Sequence, residues 1–208
     1  MTEISSLFER SWNTVLEQYK AAWKSSLIAR GQTALGEYPT GFWSEYDLQT
    51  RLICEVRAML PENVSVYSEV HLGKIFGKSL LQSHVLKLRE KFRPDIVIHT
   101  NTEESFNLIA EVSCYPHTQQ SAPQAKRTIE NHLGKYILEA RRLQDAFNKE
   151  VCESAYVCII EDDLQDLTGK KTELMSSVKA MDKVHFLIDG VTHNEKQSWL
   201  QMRKKTVS

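Results

Sequence analysis

The stretch FRPDIVIHTNTEESFNLIAEVS, Phe92–Ser113, decides the fold of this chain of 208 residues. Two apolar runs flank the polar segment NTEES, so the sequence predicts a hairpin with strands at Arg93–Thr100 and Phe106–Ser113. Asp95 lies near the start of the first strand, and Glu111 lies near the end of the second. Acidic residues are depleted in β-strands. These two carboxylates therefore need a physical explanation.

The register of the hairpin determines how the two acids meet. Side chains alternate between the faces of a sheet, and a turn centred on Glu103 places Asp95 directly opposite Glu111. Opposed β-carbons lie about 5 Å apart, and like charges at that separation destabilise the sheet. A bound cation would remove the repulsion, because Mg²⁺ binds carboxylates, water and substrate phosphates. A register change of one residue, or pairing of one acid with Arg93, is the alternative without a metal.

The elements around the hairpin alternate between helix and strand. Apolar spacing predicts an amphipathic helix over Ile4–Trp23, a linker rich in Gly and Pro, and a second helix capped by Ser44 and Asp47. Further predicted elements are a strand at Val64–Leu72, a helix at about Ala122–Asn148, a strand at Ala155–Glu161, a helix at Lys170–Met181, a strand at Val184–Asp189 and a basic tail that is helical or frayed. The predicted class is α/β, with residues 1–41 as an N-terminal helical extension and residues 42–208 as one compact domain.

The second helix carries an acid close to its buried face. Glu45 precedes Leu48 and Leu52 on the apolar stripe, so its carboxylate is expected at the inner edge of the helix face that packs on the core. Glu55 is the competing candidate. For either residue, a capping or solvated glutamate is the ordinary alternative.

Composition limits the partners that the whole chain can attract. With 26 basic and 27 acidic residues the net charge is -1, so any site for a polyanion must be local. The segment between the first strand and the hairpin is the densest basic region before the C-terminus and is either a solvated face or a phosphate-facing one. It contains Lys74, Lys78, Lys87, Arg89, Lys91 and Arg93.

Cysteine usage and the absence of targeting signals indicate a cytoplasmic protein. The four cysteines have no spacing typical of a zinc site, which favours buried reduced thiols. The N-terminus lacks the features of a signal peptide, and no apolar stretch approaches the roughly 20 residues of a membrane span.

The hairpin resembles a known family of enzymes. RPDIVIH followed by NLIAEVS is similar to the motif of the PD-(D/E)xK nuclease superfamily, with Pro94 and Asp95 as its PD and Glu111 as its second acid. The element order from about Ser44 to Glu161 also resembles the core of that restriction-endonuclease-like fold, which consists of a helix, a three-stranded meander, a helix and a strand. The combination of motif and element order is more specific than the motif alone.

The resemblance implies a metal-dependent DNA endonuclease that hydrolyses phosphodiester bonds in restriction, repair or mobile-element processing. It implies Mg²⁺, with Mn²⁺ as a substitute, bound by Asp95 and Glu111 and assisted by Glu45. Such a metal lowers the pKa of bound water and offsets charge on the phosphate. A homodimer formed through the N-terminal helix would suit the cutting of both DNA strands.

The sequence departs from the superfamily at the motif lysine, which is Ser113 here. Serine can hydrogen-bond a water or a phosphate oxygen but carries no charge. In some members the basic residue comes from the following helix, and Lys126 is the first candidate because it lies on the buried stripe of Ile129. Lys135 lies off that stripe and Arg127 lies next to it, so both are weaker candidates.

A second interpretation follows from the missing lysine. The chain could have a nuclease-like fold that no longer cuts and instead binds nucleic acid or a protein partner, because fold does not guarantee chemistry. The presence of Glu45, Asp95 and Glu111 together favours a working site, with Ser113 and Lys126 as its further catalytic candidates.

Overall fold

The fold was analysed in a computed structural model. The structure describes residues 2–31, 44–69, 93–100, 105–115, 122–162, 164 and 168–207, without the side chains of residues 122–128, 168 and 205–207. Most of the predicted linker, the basic segment from Lys74 to Lys91 and the tip of the hairpin lie outside these residues. The side chain of Lys126 also lies outside them.

The described residues form five helices and a mixed sheet of five strands, which confirms the predicted α/β class and the order of elements. They are, in chain order, α1 (Glu3–Arg30), α2 (Glu45–Met59), β1 (Val64–Ser68), β2 (Ile96–Thr100), β3 (Leu108–Tyr115), α3 (Ala122–Asn148), β4 (Ala155–Glu161), α4 (Thr168–Ser177), β5 (Val184–Asp189) and α5 (His193–Val207).

The hairpin strands differ from the prediction at their ends. The first begins at Ile96 instead of Arg93, because Pro94 cannot donate to a ladder and the side chain of Asp95 accepts the N–H of Val112. The second runs over Leu108–Tyr115 rather than Phe106–Ser113. Among the described residues a single bridge precedes it, between Phe106 and Cys152 in the segment before β4.

The helices also differ in length from the prediction. The first helix continues past Trp23 to Arg30, where Gly31, with φ of 70°, ends it. The basic tail is helical, and α4 is shorter than predicted at its C-terminal end. The predicted cap of α2 is confirmed, since Ser44 and Asp47 form a reciprocal capping box.

The sheet places the hairpin beside a parallel half. Its strand order is β1-β2-β3-β4-β5, with antiparallel pairing from β1 to β3 and parallel pairing from β3 to β5. Ile96 pairs with Ala110 and Val97 pairs with Ile109, which is the predicted register. The next position along this ladder brings Asp95 opposite Glu111.

Helices cover both faces of the sheet. One apolar core joins α1, α2 and α5 to the face that carries Ile96, Ala110 and Cys158. A second core joins α3 and α4 to the face that carries Val97 and Ile109. Because side chains alternate, Asp95 and Glu111 belong to the face that α3 covers. The long helix α3 therefore covers the face of the sheet that carries the acid pair.

A buried ion pair connects α1 and α5 to the sheet. Asp162, which follows β4, accepts hydrogen bonds from Lys196 Nζ at 2.8 Å, from the Tyr19 hydroxyl at 3.1 Å and from the Val191 N–H at 2.7 Å. Lys196 Nζ also lies 4.5 Å from the centre of the Trp23 ring. Asp162 is fully buried and Lys196 is almost so. Breaking such a pair leaves an uncompensated buried charge, which costs about 3–5 kcal/mol.

A second contact joins α1 to α5. Arg203 donates through Nη1 to the Ile28 carbonyl at 2.9 Å and to the Ala29 carbonyl. These carbonyls belong to the last turn of α1, where a cation compensates the helix dipole. The first and last helices therefore pack as neighbours on the same face of the sheet.

The cysteines are reduced, as predicted, but they are not all buried. Cys114, Cys152 and Cys158 lie in the core, whereas Cys54 is exposed on the outer side of α2. Cys54 falls between the buried positions Leu52 and Val56, so the helical period turns it away from the sheet. Among the helices of the described ranges, none has the length and apolarity that crossing a membrane requires.

Candidate functional site

Asp95 is held in place by three elements. Its backbone carbonyl accepts hydrogen bonds from Gln49 Nε2 on α2 at 2.6 Å and from the N–H of Glu69, at the end of β1, at 3.2 Å. Its carboxylate Oδ2 accepts the N–H of Val112 on β3 at 2.7 Å. Such multiple anchoring fixes the position of a functional side chain.

Glu111 completes a carboxyl pair with Asp95. Glu111 is buried, with 7% of its surface exposed, and its side chain is hydrogen-bonded to that of Asp95. Burial and the Asp95 charge raise the pKa of Glu111 far above its usual range. Burial also raises the pKa of Asp95, against the lowering effect of the Val112 N–H. Two adjoining carboxyls of this kind share one proton when no cation neutralises them.

Lys135 on α3 is the cation of this site. Its Nζ lies 2.9 Å from Glu45 Oε2 and 3.6 Å from Glu139 Oε1. Burial opposes its charge, but the hydrogen bond to Glu45 and the charge of Glu139 raise the pKa of Lys135 above its usual value. Nζ also donates to the Tyr115 hydroxyl at 3.3 Å. The lysine therefore stays protonated beside the acids.

Glu139 is a further carboxyl that sequence analysis missed. Burial raises its pKa to about 7, Lys135 works against that shift, and Asp95 adds to it. Its Oε1 faces Lys135, and within the described part of the chain its Oε2 has no hydrogen-bond partner. Glu139 and Lys135 are four residues apart on α3, so they share one side of the helix.

Together these residues form an acid cluster, which we define as Glu45, Asp95, Glu111, Glu139 and Lys135. Its four carboxyls and one ammonium leave an excess of negative charge under α3. Carboxylate oxygens are the ligands that Mg²⁺ prefers, and this cation is commonly held by one or two carboxylates with water and substrate phosphates. The opposed pair of Asp95 and Glu111 fits that pattern.

The side chains of the described residues do not by themselves form a complete metal site. In the ranges that the structure describes, no three His, Cys, Asp or Glu side chains are grouped so that they could hold a metal ion. Glu45 lies in the cluster, 43% of its side chain is exposed, and its carboxylate is bound by Lys135. Its part in metal binding stays a prediction.

The competing helix acid lies elsewhere. Glu55 Oε1 accepts a hydrogen bond from Gln18 Nε2 on α1 at 2.7 Å. This contact places Glu55 at the junction of α1 and α2. Of the two candidates, Glu45 is the one that the structure brings to the acids.

Ser113 lies beside Glu111 on the same face of β3 and is almost completely buried, with 1% exposure. Among the described residues its hydroxyl has no hydrogen-bond partner. A buried unpaired hydroxyl destabilises a fold by about 1–3 kcal/mol.

We therefore expect Ser113→Ala to retain or raise the melting temperature, because the hydroxyl forms no hydrogen bond among the described residues. Thermal unfolding of the variant beside the wild type checks this expectation, and a clearly lower melting temperature would contradict it.

The sequence ranked Lys126 above Lys135 as the replacement for the motif lysine. The structure brings Lys135 to Glu45 and Glu139, whereas the side chain of Lys126 is outside the description. Lys126 therefore stays a prediction. Lys135 reaches the acids from the flank of α3, at a position that the apolar stripe does not mark.

The arrangement can bind a divalent cation through two carboxyls and can present one ammonium group to an anion. Both groups are positive, so each could stabilise the negative charge that develops on the oxygens of a phosphodiester during hydrolysis. The resemblance to the PD-(D/E)xK superfamily rests on these residues and on the element order. Comparison of the chain with protein-family models, curated proteins and solved structures found no match.

Proposed function

We propose that this protein is a metal-dependent endonuclease that hydrolyses phosphodiester bonds in DNA. The directly opposed carboxyls of the half-buried Asp95 and the buried Glu111 carry the proposal. Such a pair destabilises the folded protein unless a proton or a cation lies between the carboxyls. Three elements nevertheless hold Asp95 in this position, and this anchoring supports the proposal of a cation at the site.

Asp95 and Glu111 would hold Mg²⁺, and Mn²⁺ would substitute for it. When bound, the metal supplies an activated water and neutralises charge on the phosphate. Lys135 would contact a phosphate oxygen with its ammonium group. It would thereby replace the motif lysine, whose position is occupied by Ser113. Glu45 and Glu139 hold Lys135 in reach of the metal-binding pair.

The alternative function is that of an inactive nuclease-like module which binds nucleic acid or a protein partner. Two observations favour it. Ser113 brings no charge to the motif position, and two carboxylates already engage the ammonium of Lys135. Restriction, repair and mobile-element processing would each suit the active enzyme.

A cleavage assay separates the two functions. Supercoiled plasmid is incubated with the protein and Mg²⁺ or Mn²⁺, beside Asp95→Asn and the surface control Asp145→Asn. We expect the wild type and the Asp145 variant to cut and the Asp95 variant to be inactive. Asp145 is a fair control because it pairs only with Lys149 among the contacts recorded for its side chain.

Two results would contradict the proposal. Retention of DNA in a salt-dependent manner without cleavage would assign the protein to the binding modules. Undiminished cleavage by Asp95→Asn would show that the activity does not come from this site.

A further inference from the structure

A second polar group lies next to the acid cluster, at the C-terminal end of β4. Glu161 is buried, with 2% of its surface exposed. Its Oε1 lies 2.8 Å from His132 Nδ1, and its Oε2 accepts the hydroxyl hydrogen of Tyr136. Burial and Glu161 together raise the pKa of Tyr136, which keeps the phenol a donor.

His132 is connected to the acid cluster through one aromatic ring. Its imidazole stacks on Tyr115 with 3.7 Å between ring centres and 23° between ring planes. The hydroxyl of the same tyrosine accepts the hydrogen bond from Lys135. His132, Lys135 and Glu139 also follow each other at steps of three and four along α3, so they share one side of that helix.

The contact with Glu161 fixes the form of the imidazole. An ionised carboxylate only accepts hydrogen bonds, so Nδ1 of His132 must be the donor. In the neutral ring, Nε2 then carries the free electron pair. Of the His132 side chain, 17% is exposed, so the imidazole is not sealed from solvent. A base oriented by a buried carboxylate in this way is the arrangement found where a nucleophile has to be deprotonated.

Four titratable groups lie around the ring: Glu161 on β4, Tyr115 on β3, and Tyr136 and Lys135 on its own helix. Lys135, which donates to the hydroxyl of Tyr115, would also bind the phosphate.

We infer that His132, positioned by Glu161, is the general base of the proposed DNA hydrolysis. This inference rests on the proposed function and adds a residue to it. Nε2 takes a proton from water while the water oxygen forms a bond to phosphorus. The bond from phosphorus to the leaving oxygen breaks, its electron pair stays on that oxygen, and a proton from solvent completes the new hydroxyl. The imidazolium then returns its proton to solvent.

The test compares His132→Ala and His132→Asn with His185→Ala in the plasmid assay between pH 5 and 9. His185 is a matched control, because it stacks on Tyr156 at 4.8 Å on another strand and is exposed. Asparagine at position 132 keeps a donor for Glu161 but has no base. We expect both His132 variants to lose about 100-fold or more in kcat and the His185 variant to be unaffected.

Three further readouts distinguish a base from a structural residue. The wild-type rate should rise with pH, as general-base catalysis requires, and His132→Ala should lose this rise. Added imidazole should restore part of the activity of His132→Ala and none of that of Asp95→Asn. Glu161→Gln should lower kcat while leaving the Mg²⁺ concentration for half-maximal rate unchanged.

Several outcomes would overturn the inference. Wild-type rates in His132→Asn, or a uniform loss at every pH without rescue by imidazole, would exclude a general base at this position. If Glu139→Gln abolished the rise with pH and His132→Ala retained it, Glu139 would be the base. A wild type that cuts together with fully active His132 variants refutes this inference alone, whereas a wild type that does not cut refutes the proposed function as well.

Discussion

Glu111→Gln is expected to abolish Mg²⁺-dependent cleavage and to raise the melting temperature of the metal-free protein above pH 7. Glutamine fills the same space and keeps a hydrogen bond to Asp95, but it cannot ionise and so cannot bind a cation as a carboxylate. Burial and Asp95 hold the pKa of Glu111 far above its usual range in the folded protein. Unfolding returns this carboxyl to water, where its pKa is about 4.3.

The direction of the pH dependence follows from proton uptake. The folded protein keeps a proton on Glu111 that the unfolded chain releases above about pH 4.3, so the stability present in acid is lost as pH rises toward the raised pKa. The glutamine variant does not titrate and escapes this loss. In a protein of this size each kcal/mol corresponds to about 2–4 °C in melting temperature.

Thermal unfolding in EDTA from pH 5 to pH 9 measures the effect. Glu62→Gln serves as a control, because Glu62 is exposed in the connection between α2 and β1. Mg²⁺ should stabilise the wild type and not Glu111→Gln, and binding to the wild type should release a proton, visible by calorimetry in two buffers. A variant less stable than the wild type at every pH would show that the pair is not strained.

Lys135→Met is expected to lower kcat by about 100-fold, the usual cost of removing one group that stabilises charge in the transition state. Methionine preserves the apolar stem but removes the ammonium group that contacts Glu45 and Glu139. It also leaves Glu139 without the positive charge that restrains its pKa. Single-turnover cleavage at saturating Mg²⁺ measures the loss.

Lys149→Met is the matched control for Lys135→Met. It removes a lysine directly after α3 that pairs with Asp145 at the surface, and such pairs contribute about 0–1 kcal/mol. Lys126→Met tests the residue that the sequence favoured. If Lys126→Met lost activity and Lys135→Met kept it, Lys126 would supply the charge. Ser113→Lys combined with Lys135→Met should recover part of the rate, since it restores a cation at the motif position.

The sequence predicts the acid pair because strands have a period of two. Once the hairpin and its centre at Glu103 are assigned, the residues equally far from that centre lie opposite each other, as Asp95 and Glu111 do. The observed pairing of Ile96 with Ala110 has this register. The cap at Ser44 is equally local, since it involves residues three apart. Short-range periodicity and capping are the features that a single sequence states directly.

The remaining members of the site depend on tertiary contacts that no local pattern contains. Lys135 meets Glu45 across 90 positions of the chain, and His132 meets Glu161 across 29. The apolar stripe of α3 identifies residues that face the core. It cannot identify long polar side chains at the flank of that stripe, because their partners depend on how α3 lies over the sheet.

The packing of α1 against α5 has a consequence for folding of the protein during its synthesis on the ribosome. Asp162 receives Tyr19 from the first helix and Lys196 from the last, and Arg203 caps the carbonyl end of α1. During translation α1 leaves the exit tunnel long before Lys196 is synthesised, so Trp23 and Tyr19 lack these contacts until then. We expect the native packing of α1 to form only after α5 has left the tunnel.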